Sequence, residues 1–328
     1  MRELLSNGGW QGLVALGSAL FWGLFPDVIS ERVTVPLFVL SLLLVGLRLV
    51  IVGRALRRQR GTAVLLITPV EGEWRPSARD RWLEPATRFA SRRFVANHAI
   101  ERQLPADPGQ WSAGFADVRA MLDYQLQHAA RQPDRESEVS LLLSTPSALA
   151  WSLGAHLGAF APVSLYQRRT GDGEEFFRAV RLSRAQRREP AADLTLVAAE
   201  RLVVTGGDPR KRAVVLDLAG NRKTAQDGLA DATARGVGEC LIVKGTFGRY
   251  LDEDQEHFET LVTEVWSCVH DLLDATVEVW LYQSVAVSVA FALGAHVGRG
   301  PFHCMHWTGE GYVEADLGLR PATHPTTS

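Results

Sequence analysis

VSLLLSTPSALAWSLGAHLG (Val139 to Gly158) and VWLYQSVAVSVAFALGAHVG (Val279 to Gly298) align without a gap at an offset of 140 residues. Nine of the twenty aligned positions are identical, including LGAH and the glycine two places beyond it. In each copy an apolar strand-like run passes through a short turn into a helix rich in small residues. A match of this length in one setting reads as two copies of a single supersecondary unit, because both copies must satisfy the same packing. A pseudo-two-fold receptor is the first expectation.

Working outward, each copy sits in an α/β pattern that begins at Thr62. AVLLITP (63 to 69) is a buried-strand run closed by a proline, and AVVLDLAGN (213 to 221) is its counterpart in the second half. Helices are predicted over Arg79 to Glu101 and Ala113 to Ala130, then over Arg222 to Arg235 and Asp254 to Leu273. Each repeated helix is followed by another strand, VSLYQRR (163 to 169) or FHCMHW (302 to 307). Strands alternating with helices imply mainly parallel sheets, hence two Rossmann-like halves in tandem. The halves span about 61 to 183 and 210 to 328, and the charged stretch 184 to 209, which ends in TGGDP, connects them.

Two apolar runs precede the α/β region, at about residues 9 to 25 and 33 to 53. The second is about 31 Å long as a helix, enough for a bilayer core, whereas the first is just under the usual minimum. A second run so close behind the first fits a two-helix transmembrane hairpin (1 to 60) better than a cleaved leader. Arg54, Arg57, Arg58 and Arg60 follow the second run, whereas the turn PDVISER has one Arg against Asp27 and Glu31. The positive-inside rule then sets a multi-pass protein with both termini and the large domain cytoplasmic. Arg48 within the second run reads as a side chain snorkelling to the interface, with an inter-subunit or pore contact as the alternative. Small residues on the first run, such as Gly12 and Ala19, suit close helix packing.

Composition narrows the chemistry. A net charge of −2 over 328 residues and a pI near 6.5 argue against a surface for duplex nucleic acid, so nucleotide recognition would be local. Three cysteines (Cys240, Cys268, Cys304) without a CxxC pair indicate neither a disulfide framework nor a thiolate zinc site. His303, Cys304 and His306 share a strand, where only Cys304 and His306 face one way, so they do not make a metal site by themselves. His156 and His296 lie well down the repeated helices and read as packing or hydrogen-bonding groups. No catalytic residue, metal ligand or cofactor site is assigned.

Folds of this type receive ligands at the carboxyl ends of their strands, where amides opening a helix hold anions. That rule selects Thr68 and the turn after it, and Ser144, Thr145 and Ser147 after the first repeated strand. In the second half it selects Asn221, Lys223, Gln283 and Ser284. Any one of these turns is equally well read as ordinary capping; agreement across two halves favours a ligand site. KGTFGR (Lys244 to Arg249) follows the strand CLIV and joins two cations, two glycines and Phe247 in a phosphate-loop reading without Walker spacing. Tyr166, Tyr282 and Trp307 are each core-like singly, although stacking by one of them suits a nucleotide. Val285 and Ala286 replace Thr145 and Pro146, so the second pocket is expected to be the less polar one, with asymmetric ligand contacts.

A two-run hairpin followed by two such halves, with STPSALAWSLGAHLGAFAPVSLYQ as signature, resembles the SAVED domain family of tandem CARF-like halves. Specifically, it resembles the transmembrane SAVED effectors of bacterial cyclic-oligonucleotide antiphage (CBASS) systems. The resemblance implies that a nucleotidyltransferase makes a cyclic oligonucleotide on infection, a cyclic trinucleotide being favoured, and that the SAVED domain (61 to 328) binds it. Bound receptors would form a homo-oligomer whose hairpins meet membrane lipid and disrupt the inner membrane, which is abortive infection without an enzyme. A membrane-anchored enzyme that degrades cyclic oligonucleotides, and a membrane scaffold for a protein partner, are the alternatives.

Overall fold

The computed structural model describes residues 61–73, 76–131, 138–158, 162–170, 175–182, 191, 193–219, 223–247, 251–272 and 277–318. All fall in the compact unit Gln59–Ser328. Both apolar runs and Arg48 lie outside the described residues, as do Asn221 and Arg249. Among the described residues no helix is long and apolar enough to cross a membrane.

The first half runs β1 (Thr62–Ile67), α1 (Pro76–Arg93), β2 (Ala96–Glu101), α2 (Ser112–Ala130), β3 (Val139–Ser144), α3 (Ser147–Leu157), β4 (Val163–Arg168) and β5 (Phe176–Leu182). The second runs β6 (Val197–Val203), β7 (Asp208–Asp217), α4 (Thr224–Ala234), β8 (Val237–Gly245), α5 (Gln255–Val269), β9 (Glu278–Ser284), α6 (Val287–Val297), β10 (Phe302–Trp307) and β11 (Tyr312–Glu314). The strand orders are β2-β1-β3-β4-β5 and β11-β10-β9-β7-β8-β6. From β8 to β11 the second sheet repeats the order of the first, and β6 is an addition outside β8. The central strands are parallel, while the end strands β5, β6 and β11 pair antiparallel, so both sheets are mixed.

Three elements depart from the sequence reading. The helix expected over Arg79 to Glu101 stops at Arg93, and Ala96–Glu101 forms the edge strand β2. Only Ile100 of that strand is buried, so it lacks the apolar run that marks a central strand. The expected connector carries β6, which pairs with β8 and exposes most of its side chains. The strand after CLIV extends to Gly245, placing Lys244 inside β8 rather than in a loop.

Alternation along each strand builds five layers. Leu65, Ile67 and Leu142 of the first sheet pack outward on Trp82, Ala86 and Phe89 of α1. Val215, Ile242 and Tyr282 of the second pack outward on Ala232 and Leu229 of α4. The inner faces, with Leu66 and Leu141 on one side and Val214 and Leu281 on the other, share one cluster with α2, α3, α5 and α6. Trp151 of α3 and Phe291 of α6, equivalent residues of the repeat, are at most 1% exposed there. Burying each such side chain is worth about 2 to 3 kcal/mol.

The repeated helices meet at the glycines of LGAH. A Cβ on Gly154 would lie 1.9 Å from the Phe291 carbonyl oxygen, and one on Gly294 2.0 Å from that of Trp151. Only glycine permits this approach, and the reciprocal contact puts the pseudo-two-fold axis between the helices. At their first turns Ser147 Oγ donates to the Val285 carbonyl at 3.5 Å. With their first turns adjacent the two helices run side by side in the same direction, so the turns after β3 and β9 lie at one end of this unit.

Candidate ligand-binding site

That end is the carboxyl rim of both sheets. Each half closes it the same way: the residue after the first strand donates its amide to the last residue of the repeated strand. Thr68 N reaches the Ser144 carbonyl at 3.0 Å, and Leu218 N and Ala219 N reach the Ser284 carbonyl at 2.9 and 2.8 Å. The first residues outside α3 and α6, Pro146 and Ala286, give no side-chain cap, so the first amides of both helices face the rim without one. Lys223 precedes α4 likewise without capping it. Ordinary capping therefore does not account for Ser144 and Ser284.

The halves then diverge. In the first, Thr68 is buried and its hydroxyl donates to Thr145 Oγ1 at 2.5 Å, so these two hydroxyls satisfy each other. In the second, a cavity of about 500 Å³ opens, lined by Lys223, Thr224, Asp227, Gln283, Ser284, Trp307 and Tyr312. Its volume falls in the range of small-molecule sites. Four residues selected from sequence, Lys223, Gln283, Ser284 and Trp307, meet in it. The Trp307 and Tyr312 rings stand edge to face at 5.1 Å and line the cavity together with Ser284 and Thr224.

The less polar second pocket was expected from Val285 and Ala286. Val285 and Ala286 do not line this cavity; they turn to a second one of about 240 Å³, with Gln167, Phe177, Phe247 and Phe258. The polarity comes from α4 and the ends of β9 and β11 instead. Asp217, the last residue of β7, pairs with Ser284 on one side and Lys244 on the other. It accepts the Ala225 amide, and burial holds its carboxyl above the ordinary carboxylate range. Burial likewise raises the Tyr312 phenol, whose hydroxyl bonds to that of Thr224.

Other candidates fall elsewhere. Tyr166 packs between Phe89 and Phe94, with ring centroids 5.5 and 5.7 Å away, and so belongs to the core beneath α1. Tyr282 is fully buried and donates to Asp231 Oδ2 at 2.8 Å. The KGTF stretch is tied to the chain before β6, with Thr246 N donating to Leu196 O at 2.9 Å and its hydroxyl to Thr195 O at 2.8 Å. Phe247 folds over Gly245, packs on the edge of the core and lines the cavity of about 240 Å³, away from Lys223 and Trp307. Lys244 is exposed at the end of β8.

The histidines join elements. His156 lies between Asp123, 3.0 Å from Nε2, and Arg299, whose guanidinium reaches Nδ1 at 2.6 Å, so it links α2, α3 and the segment after α6. His303 stacks on Trp280 at 4.2 Å and bonds Glu314, whereas His306 reaches Glu73 at 3.3 Å. Cys304 packs on Ser152, and burial pushes its thiol up to about 12. Three neighbours in sequence thus serve three separate contacts. Among the described residues no three His, Cys, Asp or Glu side chains are grouped to hold a metal ion.

Sequence reasoning missed Asp217, Thr224, Asp227 and Tyr312. Asp217 was the available signal, a carboxylate ending a buried strand directly before the selected turn. Tyr312 lies on a three-residue strand with no apolar run to mark it.

These features define a class: a duplicated α/β unit about a pseudo-dyad, with an open strand-end cavity in one half. No family model matches the chain, and no curated protein does. Among solved structures, the Acinetobacter baumannii Cap4 SAVED/CARF-domain containing receptor with the cyclic trinucleotide 3'3'3'-cAAA aligns at a TM-score of 0.43 and 11% identity, over 65% of this chain and 48% of that one. The same receptor with 2'3'3'-cAAA aligns at 0.43 and 9%, over 77% and 50%. The chain spans about half the length of these neighbours. Likenesses this loose assign neither a ligand nor a residue.

Proposed function

We propose that the chain is a receptor for a cyclic oligonucleotide, a SAVED-type membrane effector in which ligand binding drives assembly and assembly brings N-terminal hairpins together in a bacterial inner membrane. The observation that carries the ligand reading is the second-half cavity. A cation at Lys223, hydroxyls at Thr224 and Ser284, and the Trp307 ring supply the groups that phosphate, ribose and base require. The neighbouring uncapped ends of α3 and α6 offer further anion-facing amides along a ligand larger than one nucleotide.

The effector reading rests on the two apolar runs and the basic residues that follow them. Ligand shifts assembly only if it binds the assembled form better than the monomer. The reading needs no catalytic step.

Calorimetric titration of the full chain with cyclic trinucleotides tests the first part. Saturable binding that weakens in Trp307→Ala and Lys223→Ala is expected; absence of binding to any cyclic oligonucleotide contradicts it. Release of a trapped dye from vesicles of inner-membrane lipid tests the second. Ligand-dependent release that is lost on deleting residues 1 to 60 is expected, and undiminished release by the truncated chain contradicts it.

A further inference from the structure

Helices α2 and α5 are counterparts in the two halves, and the offset of 143 residues from Trp111 to Asp254 superposes their N-caps. The same offset pairs the buried residues Phe115 with Phe258, Val118 with Leu261, and Leu122 with Val265. Away from the core the matched positions differ in kind. On α5, Glu259 accepts the Arg181 amide, Glu264 those of Thr195, Leu196 and Val197, and Ser267 that of Ala191, so chain from the first half and the connector covers this face. On α2 the matching residues are Ala116, Met121 and Tyr124, all exposed, Met121 by 46% and Tyr124 by 65%. Both carboxylates that hold backbone on α5 are absent here, so an extended segment laid along α2 finds no acceptor for its amides at Ala116 or Met121. What suits this face is an apolar surface.

The exposed face of α2 is graded along its length. Ala113, Ala116 and Ala120 make its amino-terminal part small, whereas Met121, Tyr124 and His128 make its carboxyl-terminal part large. Steps of three and four residues place all six on one side, opposite Phe115, Val118 and Leu122. Charge is graded too: exposed Asp107 and Asp117 lie toward the amino end, and exposed His128 and Arg131 at the carboxyl end. Arg102 pairs with Asp117 at 3.0 Å, while Asp107 holds the turn before α2 through Gly109 N and Gln110 Nε2. A face that is small and acidic at one end, large and basic at the other, is complementary to itself reversed. Antiparallel, two such helices set Tyr124 of each over Ala116 of the other and Arg131 beside Asp107, while Ala120 meets Ala120 on a two-fold axis. We infer that α2 is a contact between two copies of this chain, an antiparallel two-fold pairing formed without ligand. It goes beyond the cyclic-oligonucleotide reading, because nothing in it uses the rim. At about 28 Å long, α2 offers the area of a weak, micromolar pair rather than of an obligate dimer.

Cysteine crosslinking of the full chain, without ligand, tests both the contact and its register. Mild oxidation of Ala120→Cys is expected to give a disulfide dimer well above that of wild type, whose Cys240, Cys268 and Cys304 lie off α2. A disulfide needs Cα atoms within about 7 Å, and the antiparallel register sets the two copies of position 116 about 12 Å apart along the axis. Ala116→Cys and Tyr124→Cys are therefore each expected to crosslink poorly alone and well when mixed. Tyr124→Glu added to Ala120→Cys is expected to reduce the dimer at least about tenfold, since it puts a charge into an apolar contact. Thermal melting of that variant is expected to match wild type, because Tyr124 is exposed in the single copy. The contact is overturned by an Ala120→Cys dimer no greater than that of wild type, or by one that Tyr124→Glu leaves intact. Crosslinking of Ala116→Cys with itself as readily as with Tyr124→Cys also overturns it. None of these results bears on whether the rim binds a cyclic oligonucleotide, which the calorimetric titration decides separately.

Discussion

The two halves share one architecture and differ at their rims. Both have the strand order of the first sheet, both cross their repeated helices at a glycine, and both hold the turn after the first strand on the last carbonyl of the repeated strand. Yet at or next to its strand ends the first half carries Ile67, Leu143 and Arg168 where the second carries Asp217, Gln283 and Trp307. The first seals its turn with a Thr68–Thr145 contact; the second leaves a cavity and buried polar atoms with no partner. What duplication preserves is packing, and what divergence frees is the strand end. Structural demand thus lies in the helices of the repeat, and the difference between the halves in the residues before them.

The shared part breaks with the largest effect. Gly294→Leu places a side chain where backbone already stands 2.0 Å away, forcing α3 and α6 apart across the common core. A loss of more than about 3 kcal/mol, measured by urea unfolding, is expected, with Gly154→Leu equivalent to it. Next comes the feature only the second half has. Glu264 is buried and accepts from Thr195 N and Oγ1, Leu196 N and Val197 N, holding the chain that enters β6. Glu264→Ala strands those donors and is expected to cost about 3 kcal/mol, with amide exchange accelerated in β6 before the rest of the sheet.

At the rims the contrast is one of ligand affinity. Trp307→Ala is expected to weaken cyclic-oligonucleotide binding by about 10- to 100-fold, the weight of one stacked base, whereas Arg168→Ala at the matching place is expected to change it less than about threefold. The smallest effect is on stability and has a sign that pH reverses. Burial raises the folded-state pKa of Asp217, so the ionised carboxylate destabilises the native state above that pKa and the penalty fades as pH falls toward the ordinary carboxylate range. Asp217→Asn is therefore expected to melt higher than wild type at pH 7, by about 1 kcal/mol, and to lose that advantage in acid. An advantage that grows in acid contradicts the assignment.

Much of this was legible in the sequence because burial writes it there. The repeat, the central strands and the helices after them carry unbroken apolar runs or small-residue faces, and Lys223, Gln283 and Ser284 followed from the strand-end rule, whereas Trp307 read as core-like by itself. The edges were not legible. β2, β6 and β11 are exposed or short, so tertiary pairing rather than an apolar run makes them strands. Tyr166 misled for a related reason: an aromatic near a strand end looks the same in sequence whether it faces a cavity or the core, and only the face decides. Asp217 was hidden in a strand counted as core, since one carboxylate after four buried residues reads as the beginning of a turn.

The most direct measurement is photo-crosslinking of the full chain with a cyclic trinucleotide carrying azidoadenine, followed by mapping of the labelled peptides. The account predicts labels on the second-half rim, in peptides holding Lys223, Ser284, Trp307 or Tyr312, that unlabelled ligand competes away. Competable labels confined to the Thr68 and Thr145 turns of the first half, or none on either rim, would contradict it.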